Sequence, residues 1–152
     1  MPELPEVETI VRACRPRLVG RRITRFVTRW ARHASPSAAA VRDGLAGRTV
    51  RALTRRGKHI VWELDDGGWL LVHLRMSGRF EWDDAVPAPA HVRAWWELDD
   101  GGRLLFCDAR KFGRITYTRD LDAATAGLGP EPLGRTFTAA ALAALLQRPR
   151  PL

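Results

Sequence analysis

The first six residues, Met1-Pro2-Glu3-Leu4-Pro5-Glu6, place a potential secondary amine next to a carboxylate. Removal of Met1 ahead of a small residue exposes the amine of Pro2, and an α-amino group titrating near ~8 keeps a nucleophilic neutral fraction at neutral pH. Such an amine condenses with a sugar carbon to an iminium. Glu3 beside it can hold or deliver protons, because a partly buried cleft raises a carboxyl pKa toward the working range. By composition alone the same residues read as an ordinary start, a helix-leading proline followed by surface glutamates.

Four further segments carry candidate groups. Arg55-Arg56-Gly57-Lys58-His59 stands at the entrance to an apolar strand, where Gly57 permits a tight turn and the cations can grip phosphate. Lys58 is equally a proton donor or part of a solvated basic turn. His73-Leu-Arg-Met76-Ser-Gly78 puts a methionine in a turn, as core filler or as a wedge that enters a base stack. Asp108-Ala-Arg110-Lys111-Phe112-Gly113 sets an arginine near an aromatic, and Phe112 reads either as wedge or as core. His91, after a proline-rich loop, is a satisfied polar side chain or a phosphate contact. Asp65, Asp66, Asp99 and Asp100 fall in two Asp-Asp-Gly-Gly stretches, which are hairpin tips more simply than metal ligands.

The charge balance narrows the partner. The 152 residues carry a net charge of +8, and residues 1–60 hold 14 basic side chains against 4 acidic, whereas 61–152 hold 11 against 13. A positive field concentrated in the first third of the chain attracts a polyanion such as nucleic acid. Only Lys58 and Lys111 are lysines among 25 basic residues, so each is a rare titratable amine in an arginine-rich chain. Two cysteines, Cys14 and Cys107, make neither a disulfide framework nor a four-cysteine zinc site, which fits a reducing cytosol. The longest apolar stretch, Ala139 to Leu146, is too short to span a bilayer.

The elements that must position these groups are mostly short strands. Pro5, Glu6 and Glu8 mark a helix start, and Val7, Ile10, Val11, Cys14 and Leu18 continue it at helical spacing, with Pro16 as a possible kink and Gly20 as a stop. Strands are predicted over Ile23 to Trp30, Thr49 to Leu53, His59 to Leu64, Trp69 to Leu74, Arg79 to Trp82, Val92 to Leu98, Arg103 to Cys107 and Arg114 to Thr118, with a short helix after Ser37. The repeated Glu-Leu-Asp-Asp-Gly-Gly at 63–68 and 97–102 reads as two β-hairpin turns. Residues 83–90 and 120–135 are connections, and Thr138 precedes an Ala/Leu helix. The pattern is α+β, dominated by antiparallel sheet.

Five motifs in one order resemble the formamidopyrimidine-DNA glycosylase family: Met1-Pro-Glu-Leu-Pro-Glu-Val-Glu-Thr9, Arg56-Gly-Lys58, His73-Leu-Arg-Met-Ser-Gly78, Asp108-Ala-Arg-Lys-Phe-Gly113 and Leu128-Gly-Pro-Glu-Pro-Leu133. The resemblance implies a two-sheet β-sandwich flanked by helices. It implies Pro2 as Schiff-base nucleophile, Glu3 as proton donor for sugar opening, Lys58 as proton donor in β-elimination and Glu6 in support. Met76, Arg110 and Phe112 match the residues that fill the gap left by a flipped nucleotide, and His91 and Arg110 match DNA contacts. The implied substrate is double-stranded DNA bearing oxidised purines, notably 8-oxoguanine and formamidopyrimidines, or abasic sites, handled by a monomer in a bacterial cytosol.

The resemblance also implies a C-terminal helix-two-turn-helix region and a four-cysteine zinc finger, neither of which this sequence contains. Residues 1–135 read as the N-terminal catalytic domain and 136–152 as the start of a truncated helical region, with no cofactor in the chain itself. Two other readings stand beside the oxidised-purine glycosylase: a catalytically impaired DNA-binding domain of the same family, and an oxidised-pyrimidine enzyme of the endonuclease VIII kind. Leu4, where that second branch typically has glycine, favours the purine-directed branch.

Overall fold

A computed structural model describes residues 2–128 and 138–147. The expected domain boundary at 135/136 and the motif at 128–133 beyond its first residue lie outside them. Two sheets face each other. One has four antiparallel strands in the order β1 (Ile23–Thr28), β7 (Val92–Leu98), β8 (Arg103–Asp108), β6 (Gly78–Trp82). The other has five, in the order β2 (Ala34–Ser35), β9 (Arg114–Thr118), β5 (Trp69–His73), β4 (His59–Leu64), β3 (Val50–Arg56), antiparallel except for β2 against β9. Helices α1 (Leu4–Leu18) and α2 (Ala38–Leu45) flank the sheets, and short α3 (Leu121–Ala124) and α4 (Ala139–Leu146) follow. The α+β class is the one expected from the strand pattern, and the two-sheet sandwich is the one that the resemblance implied. None of the described helices is long and apolar enough to cross a membrane.

The core forms where alternating side chains of both sheets meet. Trp62 of β4 and Trp96 of β7, both fully buried, stack across the interface with ring centroids 4.8 Å apart, and Phe26, Phe80 and Phe106 surround them. Each large aromatic removes ~150–250 Å² from water, so this cluster contributes most to holding the two layers in register. Helix α1 buries Val7, Val11, Cys14 and Leu18, a stripe at helical spacing that packs on β3. Arg15 adds a bond from Nε to the Leu53 carbonyl, 2.8 Å.

Several boundaries differ from the sequence reading for local reasons. Strand β1 stops at Thr28 because the Thr28 hydroxyl bonds to both the amide and the carbonyl of Trp30, which turns the chain into a 3-10 turn at Ala31–His33. Strand β3 runs on to Arg56 because the Gly57 turn, at φ +60°, lets Arg56 pair with His59. Helix α1 passes through Pro16, since a proline two residues before the end forfeits only one terminal hydrogen bond. The two-residue strand β2 carries no periodicity that a sequence could reveal. Both Asp-Asp-Gly-Gly stretches are hairpin tips: Asp66 and Asp100 each accept from the amide two residues on, at 2.9 Å.

Candidate active site

One turn and a helix start bring the N-terminal candidates together. Glu3 is the N-cap of α1, and its amide donates to Glu6 Oε2 at 3.0 Å, which fixes the entry of the chain into the helix with Pro2 half-buried just ahead of it. Across from it, Lys58 on the β3–β4 turn reaches Glu3 Oε2 at 3.0 Å. A buried arginine holds the two supports together. Arg55, 3% exposed, donates from Nε to Glu8 Oε2 at 3.1 Å and from Nη1 to the Gly57 carbonyl at 2.9 Å, so it ties α1 to the turn that carries Lys58. Pro2, Glu3, Glu6 and Lys58 therefore form one cluster.

The wedge candidates form a second cluster on the same end of the sandwich. Met76 and Phe112 are 50% and 53% exposed, and with Arg75 and Arg114 they line an open pocket of about 300 Å³. Arg110 lies over the Phe112 ring, 5.5 Å from its centroid. Neither apolar side chain is core, so the core alternatives for Met76 and Phe112 are set aside. Exposed apolar groups flanked by guanidinium groups are suited to enter an unstacked duplex while the cations meet phosphate.

Histidines connect the two clusters. His59, next to Lys58, pairs in register with His73, which in turn pairs with Arg114 at the start of β9. The two rings meet edge to face at 4.8 Å, and His73 Nδ1 accepts from the Arg75 amide at 3.0 Å. Burial, then neighbouring His59, Arg75 and Lys58, pushes His73 down to about 4, and burial with Arg75 lowers His59 as well. A neutral His73 is what an acceptor at Nδ1 requires.

Asp108, fully buried, organises the wedge turns. Its Oδ1 accepts from the Ser77 hydroxyl at 2.5 Å and the Lys111 amide at 3.1 Å, and its Oδ2 from the Gly113 amide at 2.8 Å. Ser77 Oγ accepts in turn from the Arg110 amide at 3.0 Å. His33, also fully buried, donates from Nδ1 to the Gly113 carbonyl at 2.7 Å, and burial holds its pKa down. His91 joins this corner through its backbone, whose carbonyl accepts from the Asp108 amide at 3.0 Å; its exposed ring makes no hydrogen bond to a described residue. The only described non-glycine residues with positive φ are Arg75, His91 and Lys111, all at this end. Such backbone persists where surrounding bonds over-determine it, and it clusters at functional sites.

Every candidate from the sequence is thus at one end of the sandwich, in two adjoining groups. Asp108, Ser77 and His73 are not singled out by the sequence although they sit inside the quoted motifs, and Arg55 enters there only as one of the cations that can grip phosphate. Their role is burial and hydrogen bonding, which residue type alone does not reveal. A four-cysteine zinc site does not fit this chain, whose two cysteines are buried separately in α1 and β8.

Comparison with known proteins bears on the family and the fold. Residues 1–115 match the family described as Formamidopyrimidine-DNA glycosylase N-terminal domain. The formamidopyrimidine-DNA glycosylases of Rhizorhabdus wittichii and Chloroflexus aurantiacus are 44% and 43% identical over 151 and 154 residues, covering 97% and 99% of this chain and 56% and 55% of theirs. The Lactococcus lactis formamidopyrimidine-DNA glycosylase, non-covalently bound to AP-site DNA, superposes with TM-score 0.78 at 31% identity, over 86% of this chain and 52% of that one. A MutM in complex with DNA containing carbocyclic 8-oxo-G gives 0.78 at 32% identity, over 86% and 51%. The chain spans a little over half the length of the curated relatives it matches. By the span of the match and the identity to these relatives, the chain belongs to the formamidopyrimidine-DNA glycosylase family.

Proposed function

We propose that this chain carries the chemistry of a base-excision repair DNA glycosylase and AP lyase acting on oxidised purines, 8-oxoguanine and formamidopyrimidines among them. The observation that carries the reading is Lys58 Nζ at 3.0 Å from Glu3 Oε2, immediately beside Pro2. With Met1 removed, the Pro2 amine adds to C1′ of a flipped nucleotide as the base departs with a proton, and Glu3 protonates the ring oxygen as the sugar opens to the iminium. A C2′ proton then passes to the carboxylate that Glu3 has become, the 3′ phosphate departs with a proton from Lys58, and hydrolysis of the iminium by water releases the enzyme. Amine chemistry of this kind uses the chain's own groups and calls for no cofactor.

Flipping is required because C1′ is shielded inside the stack, and Met76, Arg110 and Phe112 would occupy the gap while His91 and Arg110 hold the backbone. The DNA bound to the structural neighbours, abasic in one and carrying an 8-oxoguanine analogue in the other, supports duplex DNA as substrate. The reading takes the protein as a monomer in a reducing bacterial cytosol. Burial there keeps Cys14 inert, with its thiol pushed up to about 11.

Borohydride trapping of the purified chain on two duplexes, one with 8-oxoguanine and one with an abasic site, tests this. Covalent bands on both are expected. A band on the abasic duplex alone leaves a lyase without base selection, and faster trapping on an oxidised pyrimidine points to the endonuclease VIII-like alternative. No band from protein whose Met1 is shown by mass spectrometry to be absent overturns the reading and leaves a DNA-binding domain.

A further inference from the structure

The wedge turn has a second side. Trp30, half-buried, lies under two cations: Lys111 Nζ is 4.4 Å from its ring centroid and Arg32 Cζ is 5.5 Å. The segment that carries Trp30 and Arg32 is fastened to the wedge turn twice, by His33 on the Gly113 carbonyl and by the Arg114 guanidinium on the Arg32 carbonyl. Several other arginines find carboxylates, as Arg17 does with Asp84, Arg21 with Asp99 and Arg119 with Asp66. No carboxylate of a described residue lies within ion-pair distance of Arg32, Arg75, Arg110, Lys111 or Arg114. Cations kept unneutralised on an aromatic platform are arranged for an outside anion.

Sheet order says where that anion would be. In the five-stranded sheet, Lys58 lies in the turn between β3 and β4 at one edge, and β2, which begins two residues after Arg32, is the other edge. Three to four strand gaps of ~4.8 Å separate Lys58 from that edge by roughly 14–19 Å. At ~3.4 Å of helix axis per nucleotide, a duplex lying along this direction covers it in about four to six nucleotides.

We propose that Trp30, Arg32 and Lys111 form a second phosphate-binding site, which grips the DNA backbone about four to six nucleotides from the sugar at Pro2. The inference rests on the DNA-repair reading for its ligand but not for any chemical step. Trp30 acts here as the platform that orients the two cations rather than as a base reader.

The test is equilibrium binding of the full chain to duplexes with a central tetrahydrofuran abasic analogue, which cannot be cleaved. One duplex keeps long arms, and two others have one arm trimmed to about three base pairs, too short to span the distance above. Trimming one particular arm is expected to weaken binding by wild type and to cost Arg32→Ala little further affinity. On the long duplex, Arg32→Ala lowers the slope of log affinity against log salt by ~0.9, so its loss between about 50 and 200 mM salt is roughly 3.5-fold smaller. Trp30→Phe retains the arm dependence and Trp30→Ala loses it. Wild-type arm dependence and slope in Arg32→Ala, whose exposed side chain makes a folding defect easy to exclude, overturn the proposal, as does the absence of binding to any duplex at low salt. Because no chemistry is involved, a failed borohydride trapping experiment together with an arm dependence lost in Arg32→Ala would remove the proposed activity and leave this site standing.

Discussion

Ser77 Oγ donates to Asp108 Oδ1 at 2.5 Å, and this bond fastens the turn that displays Met76 to the turn that displays Arg110 and Phe112. The same hydroxyl accepts from the Arg110 amide, so one small side chain sets the spacing of three exposed residues. Ser77→Ala leaves both partners short of a bond, at a cost of ~1–3 kcal/mol. Urea unfolding is expected to show that loss, together with weaker binding of abasic duplex. Unchanged stability and affinity would mean that the two turns are held independently.

Gly113 has no space for a side chain. A Cβ there would meet the Phe106 ring and stand 2.9 Å from Asp108 Oδ2. Gly113→Ala should therefore destabilise the fold by ~1–3 kcal/mol and displace Phe112. Thermal unfolding at wild-type temperature would contradict this packing.

Arg55 is expected to matter through position rather than contact with DNA. Arg55→Met breaks its pair with Glu8 and its bond to the Gly57 carbonyl, which frees the Lys58 turn from α1. Glu8 is 21% exposed, so losing this charged hydrogen bond costs ~1.5–3 kcal/mol. In protein that remains folded, trapping on abasic DNA should slow much more than binding weakens. Parallel losses of both would place Arg55 in the DNA-binding surface instead.

Glu3 and Lys58 share one ion pair, so their variants should separate two steps. Glu3→Gln is expected to suppress trapping on 8-oxoguanine DNA more than on an abasic site, since base departure and ring opening come first. Lys58→Gln should slow strand cleavage after the adduct has formed. Identical profiles for both variants on both duplexes, read on denaturing gels, would deny them distinct proton-transfer roles. Acetylation of the Pro2 amine should abolish trapping, whereas Pro2→Gly, which keeps an amine, should retain part of it.

Acid should weaken the fold through its histidines. His73 is held down at about 4, and burial lowers His33 and His59 too. Above about pH 6.5 folded and unfolded chains are both neutral at these sites. As pH falls from there, the unfolded chain takes up protons first, so stability declines toward about 4, the folded value of His73. The urea midpoint should fall over that window, and less in His73→Asn, which retains an acceptor for the Arg75 amide. A wild-type midpoint that is flat or rises on acidification would refute the assignment.

Much of this protein is legible along the chain because its informative features are local. The helical stripe of α1 and the Asp-Gly hairpin tips announce themselves through spacing and turn chemistry. Pro2, Glu3, Lys58, Met76, Arg110 and Phe112 could be singled out because their motifs occur in a recognisable order. What the sequence by itself determined was therefore the sandwich, the polyanionic partner class and the candidate residues. Only the tertiary structure decided that Met76 and Phe112 face solvent, that Lys58 meets Glu3, and that Arg55 and Asp108 hold the two groups in place. It also decided that Trp30 and Arg32 adjoin the wedge turn some 80 residues further along the chain, as the His33 and Arg114 bonds show. The physical reason is that burial, ion pairing and cross-strand register depend on which segments meet in space, and short strands such as β2 carry no periodic trace of the partners they will find.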